Sequence, residues 1–290
     1  MNLYASNLIR TLAFASIAAT AASADVTTSI KKGKLKITGG VDADVIVIEG
    51  TDFGSVAVTV DGANAGEFAG VRDIDVKTGA GNDRIDLVAL QIGGSLRVKM
   101  GDGDDDLFVS TIATPVVRPM IVGGDSDITL GGDVGDAFVA EISAIAFVNF
   151  MGNLTIRGAA STVLDGGGTQ PSLEARDFFV GGKLRVVCDG GDANDPQPEF
   201  SLLDDVMVGR ESKLEFGDVK DEFLITHSQF ARKVTIRLRG GDDVLDFHND
   251  ATKFDGSVDF VGGSGFDSLI QTAGCEFAVP FAIQQMEFIP

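Results

Sequence analysis

The chain has 290 residues, with 43 aspartates and glutamates against 23 lysines and arginines, a formal charge of −20, and 37 glycines. A field of that sign repels nucleic acid and anionic membrane surfaces, which excludes both as partners, and it suits cation binding or solubility. Twenty phenylalanines stand beside one tyrosine and no tryptophan, and helix signals are sparse.

The first 24 residues read as a removable export signal. Arg10 precedes an apolar, alanine-rich run from Thr11 to Thr20, and Ala22-Ser23-Ala24 supplies the small residues of a cleavage site. The run is too short to span a bilayer, and no later stretch is longer. Cleavage before Asp25 leaves 266 residues at a net charge of −21, because Arg10 is the only charged residue removed. Residues 25–290 are expected to form one domain, secreted or held at the cell surface.

Along that stretch a short apolar pair with one residue between recurs. It reads Leu35/Ile37, Val56/Val58, Ile74/Val76, Leu96/Val98, Ile128/Leu130, Leu154/Ile156, Leu184/Val186, Leu214/Phe216, Val234/Ile236 and Val258/Phe260, at spacings of 18 to 32 residues. The alternation is that of strands with one buried face. In several units another apolar residue stands four before the pair, as at Ile92, Phe150, Val180, Phe230 and Phe254. An aspartate falls seven residues after the inward apolar at Asp44, Asp83, Asp105, Asp243 and Asp267, and six or five after it at Asp136 and Asp221. All seven are followed two residues later by another apolar residue.

Strand, glycine-aspartate turn and strand at this interval, with no helix between, predict an all-β solenoid of about ten coils of roughly 20–30 residues. Its ends need covers, and residues 25–34 and 278–290 are the candidate N-terminal and C-terminal caps. Cys188 continues the inward series of Leu184 and Val186 and reads as a buried thiol. Cys275 lies about three coils away, on the order of 14 Å, which is beyond disulfide reach. The pattern resembles the right-handed parallel β-helix of pectin-lyase-like proteins.

The turns carry the second resemblance. Gly262–Ile270, GGSGFDSLI, is similar to the haemolysin-type (RTX) calcium-binding nonapeptide at every position, and Gly79–Asp86 and Gly101–Phe108 match its latter part. The resemblance implies Ca²⁺ as cofactor, with Asp83, Asp105 and Asp267 as ligands. Asp243 has Arg239 where the motif places its earlier glycine. Charge density adds Asp102 and Asp104 as candidates, since calcium takes six to eight oxygen ligands. Glycine and aspartate are also the ordinary residues of tight turns, so plain turn chemistry explains the same letters without metal.

Lys36, Lys77, Arg97, Lys99, Arg157, Arg185 and Arg237 fall at outward positions and would stack as a basic stripe. One reading is a groove for an extracellular polysaccharide, where the pectin-lyase-like resemblance implies uronate-lyase chemistry. The other is charge balance with Asp75, Glu215 and Asp259 in the same stripe. The histidines His227 and His248 lack an HxH pairing, the cysteines lack a CxxC partner, and no nucleophile elbow or P-loop is present. The sequence therefore predicts an exported, acidic, calcium-binding solenoid with a structural or adhesive role. The alternatives are a polysaccharide-active enzyme on that scaffold and a metal-free structural solenoid.

Overall fold

In a computed structural model, the described residues are 26–112, 118–131, 135–141, 147–159, 161–165, 178–188, 199–247, 251–271 and 274–289. The expected signal segment and His248 lie outside them, as do parts of the proline-bearing insertions near 115 and 195. The described chain is entirely β-structure and winds as a parallel solenoid with three sheets along its length, of 11, 12 and 8 strands. No helix of the described residues is long and apolar enough to cross a membrane.

One coil shows how the sequence makes the turn. Gln91–Ile92 lies in the third sheet, Leu96–Asp102 in the first, Asp106–Ser110 in the second, and Met120–Val122 returns to the third. Each strand is short because its alternation is broken by glycine or by a polar turn after a few residues. Leu96, Val98 and Met100 point inward, while Arg97 and Lys99 point outward. Coil stacks on coil in register, so that Leu96 pairs with Ile74 below and Val98 with Val76. Inward side chains thus form columns of like residues, and each buried aliphatic or phenylalanine contributes about 1.5–3 kcal/mol. The extra apolar residues Ile92, Phe150, Val180, Phe230 and Phe254 are the inward positions of the third sheet. Phe230, Phe254 and Phe277 stack there face to face, with centroids 5.2 and 4.9 Å apart.

Three details differ from the repeat read in the sequence. Val56/Val58 is not a coil. It belongs to Ser55–Val60, which runs antiparallel between Val45–Asp52 and Ala63–Ala69 at the edge of the second sheet. Asp61 and Gly62 both take positive φ there, 50° and 77°, the geometry of a two-residue hairpin. Lys32 and Gly33 make the same turn between Thr27–Lys31 and Lys34–Thr38, so the N-terminal edges of two sheets end in hairpins.

Ile128 and Leu214 take the second inward position of their strands, not the first. Ser126 and Ser212 hold the first, in register with Leu96 and Leu184. Both serines are buried with hydroxyls that have no hydrogen-bond partner, a penalty of about 1–3 kcal/mol each. In the corrected register Asp221 falls seven residues after Leu214, so it obeys the spacing that it seemed to break.

Cys188 is buried and both cysteines are free. The Cys188 Sγ lies 3.5 Å from Thr162 Oγ1 and 3.8 Å from Ser201 Oγ. Thr162 and Ser201 occupy the column that holds Phe138 below and Phe223 above. At this level two hydroxyls and a thiol stand together in the interior.

Candidate functional site

The aspartates of the glycine-rich turns lie inside the molecule, at the corner between the first and second sheets. Asp83, Asp105, Asp243 and Asp267 are 2%, 0%, 0% and 3% exposed. The cause is parity: each stands two residues before an inward apolar residue, on the same face of the chain. Asp44, Asp136 and Asp221 are buried in the same column.

Their carboxylates stitch the coils together. The backbone N–H of Asp44 donates to Asp83 Oδ1 at 2.8 Å, that of Asp83 to Asp105 Oδ1 at 2.8 Å, and that of Asp105 to Asp136 Oδ1 at 2.9 Å. Further along, Asp221 N–H donates to Asp243 Oδ1 at 2.8 Å, and Asp243 N–H to Asp267 Oδ1 at 3.3 Å. The aspartate series is interrupted between the two runs, where the register pairs Asp221 with Glu199.

The glycines serve this packing. A β-carbon on Gly101 would stand 1.7 Å from the Gly79 carbonyl oxygen, and one on Gly103 would stand 2.2 Å from that of Gly81. Both residues also hold positive φ, 157° and 129°. The motif GxGxD is therefore satisfied by backbone stacking alone: glycine where coils touch, aspartate where a backbone N–H needs an acceptor.

The second carboxylate oxygens differ. Asp105 Oδ2 accepts the Gly101 N–H at 3.1 Å. The Oδ2 atoms of Asp83, Asp243 and Asp267 are buried with no hydrogen-bond partner. Burial, reinforced by the charges of Asp83 and Asp136, pushes the Asp105 carboxyl up to about 7. Burial, together with Asp267 and Asp242, pushes Asp243 up to about 7 as well. Such carboxyls near neutral pH hold either a proton or a cation.

For calcium, the residues present fit in part. Asp243 and Asp267 on adjacent coils offer one unpartnered oxygen each, and Asp83 offers one in the other run. Their Oδ1 atoms are already used by backbone N–H groups, and a β-carbon on Gly262 would fall 2.4 Å from Asp267 Oδ2, so that oxygen is packed against the turn. Asp102 and Asp104 are exposed on the outer side of the turn. The six expected ligands therefore divide into four inside the wall and two outside it.

Linear spacing missed a second group. Asp204, Asp205 and His227 each bring one ligand atom within 4.8 Å of the others, the one such metal-competent set among the described residues. It sits at the corner between the second and third sheets. Asp205 and His227 there take left-handed backbone, φ 52° and 46°, a conformation that Asp and His adopt more readily than most residues. Asp204 Oδ1 is 2.8 Å from His227 Nδ1 and accepts from Thr226 Oγ1 at 2.6 Å. No HxH pattern reveals it because the partners come from neighbouring coils.

The basic stripe is interleaved with acids. Lys36, Asp75, Arg97 and Asp127 follow one another up one outward column of the first sheet. Lys34 pairs with Asp75 at 2.6 Å and Arg157 with Asp127 at 2.5 Å. Glu215 gathers Lys213, Arg185 and Arg237 at 2.8, 3.3 and 3.7 Å. Burial opposes its charge, yet the hydrogen bonds from Lys213 and Arg185 hold its carboxyl below the usual glutamate range.

Fold and corner geometry together define a parallel β-solenoid with a buried aspartate ladder. Comparison with family models, with curated proteins and with solved structures found no match for this chain.

Proposed function

We propose that this chain is an exported solenoid with a structural or adhesive role, presenting a long ordered surface outside the cell. The observation that carries this reading is the aspartate ladder. The most chemically distinctive residues of the sequence are spent on coil-to-coil hydrogen bonds inside the wall, and three cations of the stripe, Arg157, Arg185 and Arg237, on neighbouring carboxylates. The test has two arms. Fractionation of the producing cells should recover the protein outside the cytoplasm, and a cytoplasmic protein would sink the export reading. Incubation with uronate polysaccharides should yield no unsaturated product. Product formation that disappears in Arg97→Ala or Arg185→Ala would establish the lyase alternative instead.

Calcium at the Gly/Asp corner is a second reading, favoured by the unpartnered Oδ2 atoms of Asp243 and Asp267 on adjacent coils and by the RTX-like letters. Bound calcium would supply positive charge to carboxylates that otherwise repel one another. Asp83, Asp105, Asp243 and Asp267 would hold it, with Asp102 and Asp104 attracting it from outside. Calcium titration of the chelator-stripped protein, read by calorimetry and thermal unfolding, decides it. A site confined to the folded state adds about 2.7 kcal/mol at a hundred times Kd. No heat and no shift at millimolar calcium would leave the metal-free solenoid.

A further inference from the structure

The corner between the third and first sheets carries a column that is glycine on most coils. Gly94, Gly124, Gly152 and Gly182 stack directly, each accepting or donating a backbone hydrogen bond or lying with its Cα over the backbone of the one below. The strand pairings on both sides fix the next positions. Val180, Val208 and Phe230 are in register before the corner, and Leu184, Ser212 and Val234 after it. Arg210 and Arg232 therefore follow Gly182 in the column, and Gly256 closes over Arg232, its missing β-carbon 2.3 Å from the Arg232 carbonyl carbon. Two arginines stand one coil apart, at about 4.8 Å backbone spacing, with glycine before and after them.

Together with Lys183, Glu211 and Lys233 these arginines line an open recess of about 600 Å³. The lysines are committed: Lys183 pairs with Glu211 at 2.7 Å and Lys233 with Asp259 at 2.7 Å. Among the described residues no carboxylate pairs with Arg210 or Arg232, and both are exposed. The surplus positive charge of the recess thus rests on two arginines of adjacent coils, in a protein whose total is −20. Arg72, which holds the same column at the N-terminal end, is spent on Asp73 at 2.7 Å.

We propose that this recess binds a small ligand of about monosaccharide size bearing a tetrahedral oxyanion, a phosphate or sulfate ester. Paired guanidinium forks match such a group bidentately. The volume exceeds what a bare ion needs and lies in the range of small-molecule sites. A long polyanion fits less well, because the net charge of −20 repels the length of it that extends beyond the recess and its basic surround.

The test is calorimetric titration of the mature protein at low ionic strength with inorganic phosphate, inorganic sulfate, glucose 6-phosphate and glucose 6-sulfate. An ester binding more tightly than its bare ion is the expected result, and whichever ester is preferred identifies the source of the oxyanion. Arg210→Gln with Arg232→Gln should weaken that binding by about tenfold or more. Arg210→Gly with Arg232→Gly, which restores the residue the column uses elsewhere, should do the same with the fold kept. Arg97→Gln, outside the recess, should change nothing. No saturable binding at millimolar ligand overturns the proposal. So does binding that survives in both double variants, or binding of the bare ions with both esters excluded.

Discussion

Replacing Asp243 by asparagine should stabilise the protein at pH 8 and do little at pH 5, with chelator present throughout. Asparagine keeps the Oδ1 that accepts the Asp221 N–H at 2.8 Å and removes the charge that faces Asp267. In the folded protein Asp243 keeps its proton up to about 7, whereas an unperturbed aspartate titrates at 3.8. Between those two pH values the folded state binds more protons than the unfolded chain, so stability falls as pH rises through the window and is lowest above it. A rise from 3.8 to about 7 corresponds to an upper limit of about 4 kcal/mol per carboxyl, at 1.36 kcal/mol per pH unit. The like-charged neighbours share their protons, so roughly half of that is expected from one substitution. Thermal unfolding of wild type and variant across pH 5–8 measures it. The variant should melt about 4–8 °C higher at pH 8 and within about a degree at pH 5. A variant that is less stable than wild type at pH 8 in chelator would refute the reasoning, because the carboxylate would then be favourably charged in the folded state. The opposite pH sense holds for Asp73. The Ser95 N–H and Arg72 keep its carboxyl below the usual range, and the stability it lends is lost on acidification below about pH 4.

Gly103→Ala should destabilise by about 2–4 kcal/mol in urea unfolding, since its β-carbon would fall 2.2 Å from a backbone oxygen at positive φ. Gly62→Ala, with nothing within 4 Å of the new atom, should lose only about 1 kcal/mol from its left-handed backbone. Phe254→Ala removes the middle ring of a stack with spacings of 5.2 and 4.9 Å and should lose about 3–5 kcal/mol in the same assay. A thiol reagent at pH 8 should react slowly with Cys275, whose thiol burial pushes up to about 11, and should reach Cys188 only on unfolding.

Much of this fold was legible in the letters because a parallel stack repeats its constraints. The inward pairs Leu96/Val98 and Leu184/Val186, and the aspartate seven residues on, recur since every coil must end where the next begins. What misled was equally physical. Val56/Val58 alternates as any half-buried strand does, and alternation does not distinguish a parallel partner from an antiparallel one; the Asp61-Gly62 pair was the signal for a hairpin. Ser126 and Ser212 do not show as inward residues in an apolar pattern, because the first apolar inward residues of their strands are Ile128 and Leu214. The inward aim of Asp83, Asp105, Asp243 and Asp267 was visible in their two-residue offset from Ile85, Leu107, Leu245 and Leu269. Glycine and aspartate read first as surface turn, and that composition outweighed the parity. The meeting of Asp204, Asp205 and His227, and the stacking of Arg210 on Arg232, depend on insertion lengths that only the wound chain resolves.

The polar level at Thr162, Cys188 and Ser201 has a mechanical consequence. A solenoid holds together through contacts between nearest neighbours, so its strength is that of its weakest layer and not of its sum. At this layer Thr162 and Ser201 stand between Phe138 and Phe223 in an interior column, and Glu199 pairs with Asp221 where the aspartate ladder would continue. The hydrogen-bonded sheets run on through this layer, so two blocks with apolar interiors meet across one joint that is held mainly by its wall. Drawn along its axis, or warmed slowly, such a rod has a designated place to part, and each block can keep its winding after the joint has opened.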